Sequence, residues 1–99
     1  MEEPVEYPIN GVLDLHQFNP RDVKELVPHY LRECQERRIL TVRVIHGKGI
    51  GTLRRTVHSI LSKMPEVISF SQASAEFGHW GATIVQLRAL EATDRKQPD

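Results

Sequence analysis

The chain has 99 residues, 39% of them hydrophobic, with 13 basic and 13 acidic side chains and a formal net charge of zero. That length suits one domain with one modest core. No apolar run approaches the ~20 residues of a membrane span, the acidic start "MEEPVEY" lacks the apolar segment of a signal or transit peptide, and the single cysteine, Cys34, excludes an internal disulfide or a cysteine-based zinc site, so a soluble cytoplasmic protein is expected.

Residues 1–10, with Pro4 and Pro8, read as an N-terminal tail. "VLDL" at 12–15 alternates and predicts a short strand. "NPRD" is a helix start, with Asn19 as N-cap, Pro20 at the first helical position and Asp22 in the first turn. Val23, Leu26, Val27, Tyr30, Leu31 and Cys34 then repeat at helical spacing. Pro28 removes one backbone hydrogen bond inside that helix, so a bend is expected there. "LTVRVI" at 40–45 is β-branched and predicts a second strand. The loop "HGKGIG" follows. Leu53, Val57, Ile60, Leu61 and Met64 mark a second helix, stopped by Pro65. "VISFS" at 67–71 and "ATIVQLR" at 82–88 predict two more strands, joined through a loop holding Gly78 and Gly81. Residues 90–99 read as a polar C-terminal tail, leaving a domain over 11–89.

The order β-α-β-α-β-β predicts an α/β two-layer sandwich: a mixed four-stranded sheet with both helices on one face, its helix-joined strands parallel through right-handed crossovers. If Leu13, Leu15, Val85 and Leu87 face the helices, Asp14, His16, Gln86 and Arg88 face away, and the helix-free face is polar and open. On the second strand, Val42 and Val44 facing inward would turn Arg43 outward.

Charge is unevenly placed. From Arg37 to Pro65 there is no Asp or Glu, yet the segment carries Arg37, Arg38, Arg43, Lys48, Arg54, Arg55 and Lys63. A neutral chain can therefore present one basic, anion-facing surface. The glycine loop lies inside this block. A strand, a glycine turn and a helix start together expose backbone N–H groups beside a positive helix dipole. Gly47, Gly49 and Gly51 allow close approach of a ligand, and Lys48, Arg54 and Arg55 supply charge, so a phosphate fits; a turn that only reverses the chain would use the same glycines. The loop is not G-x-x-x-x-G-K-[ST], and Gly51 comes one residue early for G-x-G-x-x-G. No acid ends the next strand to hold a ribose, which argues against a dinucleotide.

His16 and His46 each follow a strand, and those strands are expected to be parallel neighbours, so both histidines should emerge at one sheet edge. Asp14, two residues before His16, could orient or charge an imidazole for acid–base chemistry, or hold a divalent metal with it. The alternative is that both histidines only bond loop backbone. His29 and His58 fall off the apolar stripes and read as surface residues. His79 and Trp80 lie near the same edge; Trp80 could stack on an unpaired base or simply cover the sheet.

"LDLH" at 13–16, "HGKGIGTLRRTV" at 46–57 and "GATIVQLR" at 81–88, in that order and spacing, resemble the Smr (small MutS-related) domain family as a stand-alone, single-domain member. The resemblance implies a fold similar to the C-terminal domain of bacterial translation initiation factor 3. It also implies binding of nucleic acid, DNA or RNA, in some members at the ribosome, and in many members endonuclease activity. It places functional positions on Asp14 and His16, and on His46, Gly47, Lys48 and Gly49. Two departures stand out: Gln17 follows "LDLH" where glycine is common, and "FGHWGAT" puts His79 and Trp80 into a usually glycine-rich approach.

Three functions follow as expectations. The first is an endonuclease acting on RNA or structured DNA, with phosphate held by the loop and acid–base work done by Asp14, His16 and His46. RNA could supply its own 2′-hydroxyl nucleophile, whereas DNA needs water and makes a divalent metal on Asp14 and His16 more useful. The second is a non-catalytic module binding nucleic acid or the ribosome through the same surface. A protein-interaction domain that keeps only the fold is the third.

Overall fold

The computed structural model describes residues 8–47, 51–73 and 81–90. Strand β1 (Val12–Asp14) is followed by two 3-10 turns, Leu15–Gln17 and Pro20–Asp22, then α1 (Val23–Glu36), β2 (Thr41–Ile45), α2 (Thr52–Ser62), β3 (Val67–Gln72) and β4 (Ala82–Leu87). The sheet order is β1-β2-β4-β3. β1 pairs parallel with β2, while β4 is antiparallel to both β2 and β3. β3 therefore runs in the direction of β2 with β4 inserted between them. The expected mixed α/β sheet with two helices is present.

Both helices pack on one face. Val23, Val27, Tyr30, Leu31 and Cys34 from α1 and Val57 and Leu61 from α2 share one buried cluster with Leu13, Leu15, Val42, Val44, Val85 and Leu87. Each Val or Leu so buried contributes about 1.5–3 kcal/mol before ordering costs. Tyr30 ties α1 to the sheet edge: its hydroxyl accepts from Gly11 N–H (3.1 Å) and donates to the Val12 carbonyl (3.0 Å). At the far end, Gln35 Nε2 donates to the Arg88 carbonyl (2.6 Å), so α1 also grips the segment after β4.

Three expectations need correction. β1 ends at Asp14, one residue early, because the Asp14 carboxylate accepts the His16 backbone N–H (3.0 Å) and curls the chain into a 3-10 turn. Asn19 caps as expected, accepting from Arg21 N–H (3.0 Å), but what it caps is the second 3-10 turn; α1 proper begins three residues later and runs through Pro28 as one element. The helix-free sheet face is mixed rather than polar. Thr41, Arg43 and Gln86 share it with Val12, Ile45 and Ile84, and Gly11, Val12, Thr41, Arg43 and Ile84 line a shallow dent of about 410 Å³.

Candidate functional site

Parallel pairing of β1 with β2, in register Asp14↔Ile45, brings the turn after β1 and the loop after β2 to one sheet edge. At that edge Asp14 Oδ1 accepts two hydrogen bonds from His16, from the backbone N–H at 3.0 Å and from ring Nδ1 at 2.8 Å. A carboxylate can only accept here, so neutral His16 carries its proton on Nδ1 and leaves Nε2 with a free lone pair. The pair stays accessible: the His16 side chain is 60% exposed and Asp14 36%.

Nε2 of His16 faces Gly47. Gly47 has φ +80, and a Cβ placed on it would lie 2.7 Å from His16 Nε2. Only glycine allows both the backbone conformation and the approach. The first and second motifs thus meet at a specific contact, between the His16 ring and the Gly47 backbone.

His46 has a different position from the one expected. It continues the inward parity of Val42 and Val44 and is 5% exposed. Its Nδ1 lies 3.0 Å from the Gly47 carbonyl and its Nε2 lies 2.8 Å from Thr83 Oγ1. A carbonyl only accepts, so Nδ1 carries the proton, and Thr83 donates its hydroxyl hydrogen to Nε2. Thr83 Oγ1 then accepts from His58 Nε2–H at 2.9 Å. The result is a directed chain, His58 to Thr83 to His46 to the Gly47 carbonyl. Both ring nitrogens of His46 are engaged within the protein.

His58, read from its sequence position as a surface residue, is half-buried instead. Its ring packs 4.9 Å from that of Phe70 and stands edge-on to His46 at 6.2 Å. Burial pushes the His46 imidazole below its ordinary range; the Gly47 carbonyl opposes this, and the charges of Arg54 and His16 add to it. Burial, then His46 and Arg54, push His58 the same way. Both rings are therefore neutral near pH 7, as the bonding pattern requires. Thr83 was missed altogether. Its signal was its parity with Val85 and Leu87: a threonine on a core-facing strand position needs a hydroxyl partner.

The backbone of the loop start is also committed. The N–H groups of His46 and Gly47 both donate to the Gly81 carbonyl, each at 2.9 Å. This bond ties the second motif to the third. It also corrects one expectation, since the Gly47 amide is already engaged and not open to a phosphate. Lys48, Gly49, His79 and Trp80 lie outside the described residues. Gly51 precedes α2 with φ +85 and gives α2 no side-chain cap. Arg54 Nη2 lies 3.9 Å from where a Gly51 Cβ would stand, so the guanidinium folds back over this turn. Arg55 turns the other way, into a groove shared with Lys24 of α1. Gln17 lines a dent with Asp14 and Phe18 beside the dyad. Among the described residues, no three His, Cys, Asp or Glu side chains come together in a way that could hold a metal ion.

The Smr domain family model matches residues 13–88. This chain belongs to the Smr domain family. Relatives of this Smr domain include the endonuclease MutS2 of Halothermothrix orenii, 32% identical over 81 residues, which are 82% of this chain and 10% of that protein. The ribosome rescue factor SmrB of Aeromonas hydrophila is 36% identical over 81 residues, 82% of this chain and 47% of that protein. The Smr domain thus spans about a tenth of the first relative and about half of the second. Among solved structures, the Smr domain of Thermus thermophilus MutS2 superposes with TM-score 0.74 at 32% identity, covering 80% of this chain and 99% of that one. YdaL, a stand-alone small MutS-related protein from Escherichia coli, gives 0.75 at 25% identity, covering 84% and 68%. Among the described residues no helix is long and apolar enough to cross a membrane.

Proposed function

We propose that this Smr domain is a phosphodiester endonuclease of RNA or DNA, with Asp14 and His16 as its acid–base pair. The observation that carries this reading is the Asp14–His16 dyad, whose free Nε2 sits over the glycine loop. Asp14 fixes the ring and stabilises the imidazolium that forms when Nε2 takes a proton. With RNA, Nε2 removes the 2′-hydroxyl proton, the resulting oxygen attacks the adjacent phosphorus, the P–O5′ bond breaks and the leaving oxygen takes up a proton. With DNA, Nε2 deprotonates water instead, which leaves Asp14 Oδ2 as the donor this pair could offer a divalent metal.

The phosphate is held by the open end of α2 and by Arg54. α2 has no side-chain cap and no acid in its first turn, so the N–H groups that begin it are donors an anion could use. Arg54 and Arg55 in that first turn oppose the helix dipole, a local cost that a bound anion relieves. Lys48 and Gly49 belong to the same reading, as does Trp80 as a base-stacking surface. His46 is a positioning residue in this scheme: it orients the Gly47 carbonyl and leaves acid–base chemistry to His16. The names of the relatives, an endonuclease and a ribosome rescue factor, supply nucleic acid as substrate class and the ribosome as a partner that could present it.

The test is cleavage of end-labelled RNA and DNA by wild type and His16→Ala, with and without chelator. Loss of about 10²–10⁴-fold in rate with retained binding is expected. A 2′,3′-cyclic phosphate would mark attack by the 2′-hydroxyl, and a 5′-phosphate attack by water. Equal cleavage by both proteins would remove His16 from the mechanism. Binding without cleavage by either leaves a non-catalytic nucleic-acid or ribosome-binding module.

A further inference from the structure

We infer that the groove between α1 and α2 is a second polynucleotide subsite, which takes the single strand leading away from the phosphate at the glycine loop. The inference rests on the nucleic-acid reading above and adds a direction to it.

Topology aims the groove at the site. β1, β2 and β3 all run the same way, so α1 and α2 both return antiparallel to them and both begin at the edge where Asp14, His16 and Gly47 meet. Lys24 is the second residue of α1 and Arg55 the fourth of α2. Both line the groove, which encloses about 570 Å³. Arg55, Ser59 and Lys63 follow at four-residue spacing, so they form one row running about 12 Å along the helix from the site end. Arg54 and Arg55 are about 100° apart around α2. One covers the Gly51 turn and the other enters the groove, so the first turn of α2 joins the two places.

The charge in the groove is of one sign. Lys24, Arg55 and Lys63 line it without any carboxylate, and none of the three has an ion-pair partner among the described residues; the pairs there are Asp14–His16, Arg32–Glu66 and Arg37–Glu33. The acids closest in sequence to Lys24, Asp22 and Glu25, line a separate dent with His29. Three unneutralised cations beside one groove call for a polyanion. The floor is apolar, formed by Pro28, Ile60 and Met64. Such a floor accepts sugar and base faces, and cations without base-reading amides give contacts indifferent to sequence.

The experiment is fluorescence anisotropy with a labelled uridine trinucleotide and a dodecanucleotide. Wild type is compared with Lys24→Ala/Lys63→Ala and with Ser59→Glu, which puts a carboxylate between the cations. Neither variant touches the dyad or the core. For the dodecanucleotide, the double variant should lose roughly 25-fold in affinity at about 0.1 M monovalent salt and flatten the log–log salt slope by about 1.4. Trinucleotide binding should stay unchanged, and Ser59→Glu should discriminate in the same way. Equal dodecanucleotide affinity in wild type and both variants overturns the groove while leaving the proposed function standing. Failure of wild type to bind either oligonucleotide overturns both. Tighter binding of an oligoglutamate than of the dodecanucleotide reassigns the groove to an acidic polypeptide.

Discussion

Gly47→Ala tests whether the glycine loop and the Asp14–His16 dyad form one site. Two penalties arise from the same atom. The alanine would hold φ near +80, a left-handed conformation that costs an L-residue about 1–2 kcal/mol. Against that, alanine restricts the unfolded chain and returns about 0.4–1 kcal/mol. The net loss of stability from conformation is therefore about 1 kcal/mol. The second penalty is steric, because the new Cβ falls 2.7 Å from His16 Nε2. That ring is 60% exposed, so it can swing outward at little further cost in stability, but only by leaving the 2.8 Å bond to Asp14. The variant should thus lose little stability and most of its dyad. Denaturant titration measures the first part, and imidazole ¹⁵N shifts of His16 report the second through its ring tautomer. A synthetic chain with D-alanine at 47, which accepts positive φ and projects its methyl elsewhere, should restore the His16 signal. Wild-type His16 shifts in the L-alanine protein would refute the contact and, with it, the joining of the two motifs.

Thr83→Val removes the hydroxyl between two imidazoles at nearly constant volume. It leaves His46 Nε2 without its donor in a buried position and should cost about 1–3 kcal/mol, with Thr83→Ser restoring most of it; unchanged stability would mean that the chain carries no energy. Acidification should weaken the fold in a defined window. His46 and His58 hold protons less tightly in the folded state than in the unfolded chain, whose ordinary value is about 6.5. Stability is therefore complete above that value and is lost as pH falls below it, since the unfolded chain protonates first. His58→Gln should flatten that fall in a urea-midpoint profile between about pH 7 and pH 5; an unaltered profile would place the effect on other groups.

Much of the architecture could be read from local pattern. The α1 stripe was visible because Val23, Val27, Tyr30, Leu31 and Cys34 are buried to the last ångström of their accessible surface, with Leu26 at the margin. Strand parity correctly turned Leu13, Leu15, Val85 and Leu87 inward. The end of β1 was not legible. "VLDL" alternates through Leu15, and only the competition of the Asp14 carboxylate for the His16 amide curtails it. His58 was misplaced for a related reason. A helical stripe defined by apolar residues leaves a flanking histidine outside, whereas Thr83 across the core supplies the partner that makes its half-burial affordable. Neither residue is informative without the other, and they lie 25 positions apart.

The same logic divides the labour within "HGKGIG" in a way no motif reading can. His46 and Gly47 spend their polar atoms on the protein itself: both amides on the Gly81 carbonyl, one ring nitrogen on the Gly47 carbonyl and the other on Thr83. Nothing polar is left over at these two positions for a phosphate. What they provide is a backbone fixed closely enough beneath His16 that its Nε2 has a defined place over the loop. In the proposed scheme the anion is then met by the uncapped start of α2, where Arg54 stands over Gly51. In the proposed scheme His46 is therefore the clamp that holds the backbone beneath His16 in position. Burial and paired nitrogens separate that role from acid–base chemistry, and both are properties of the folded chain.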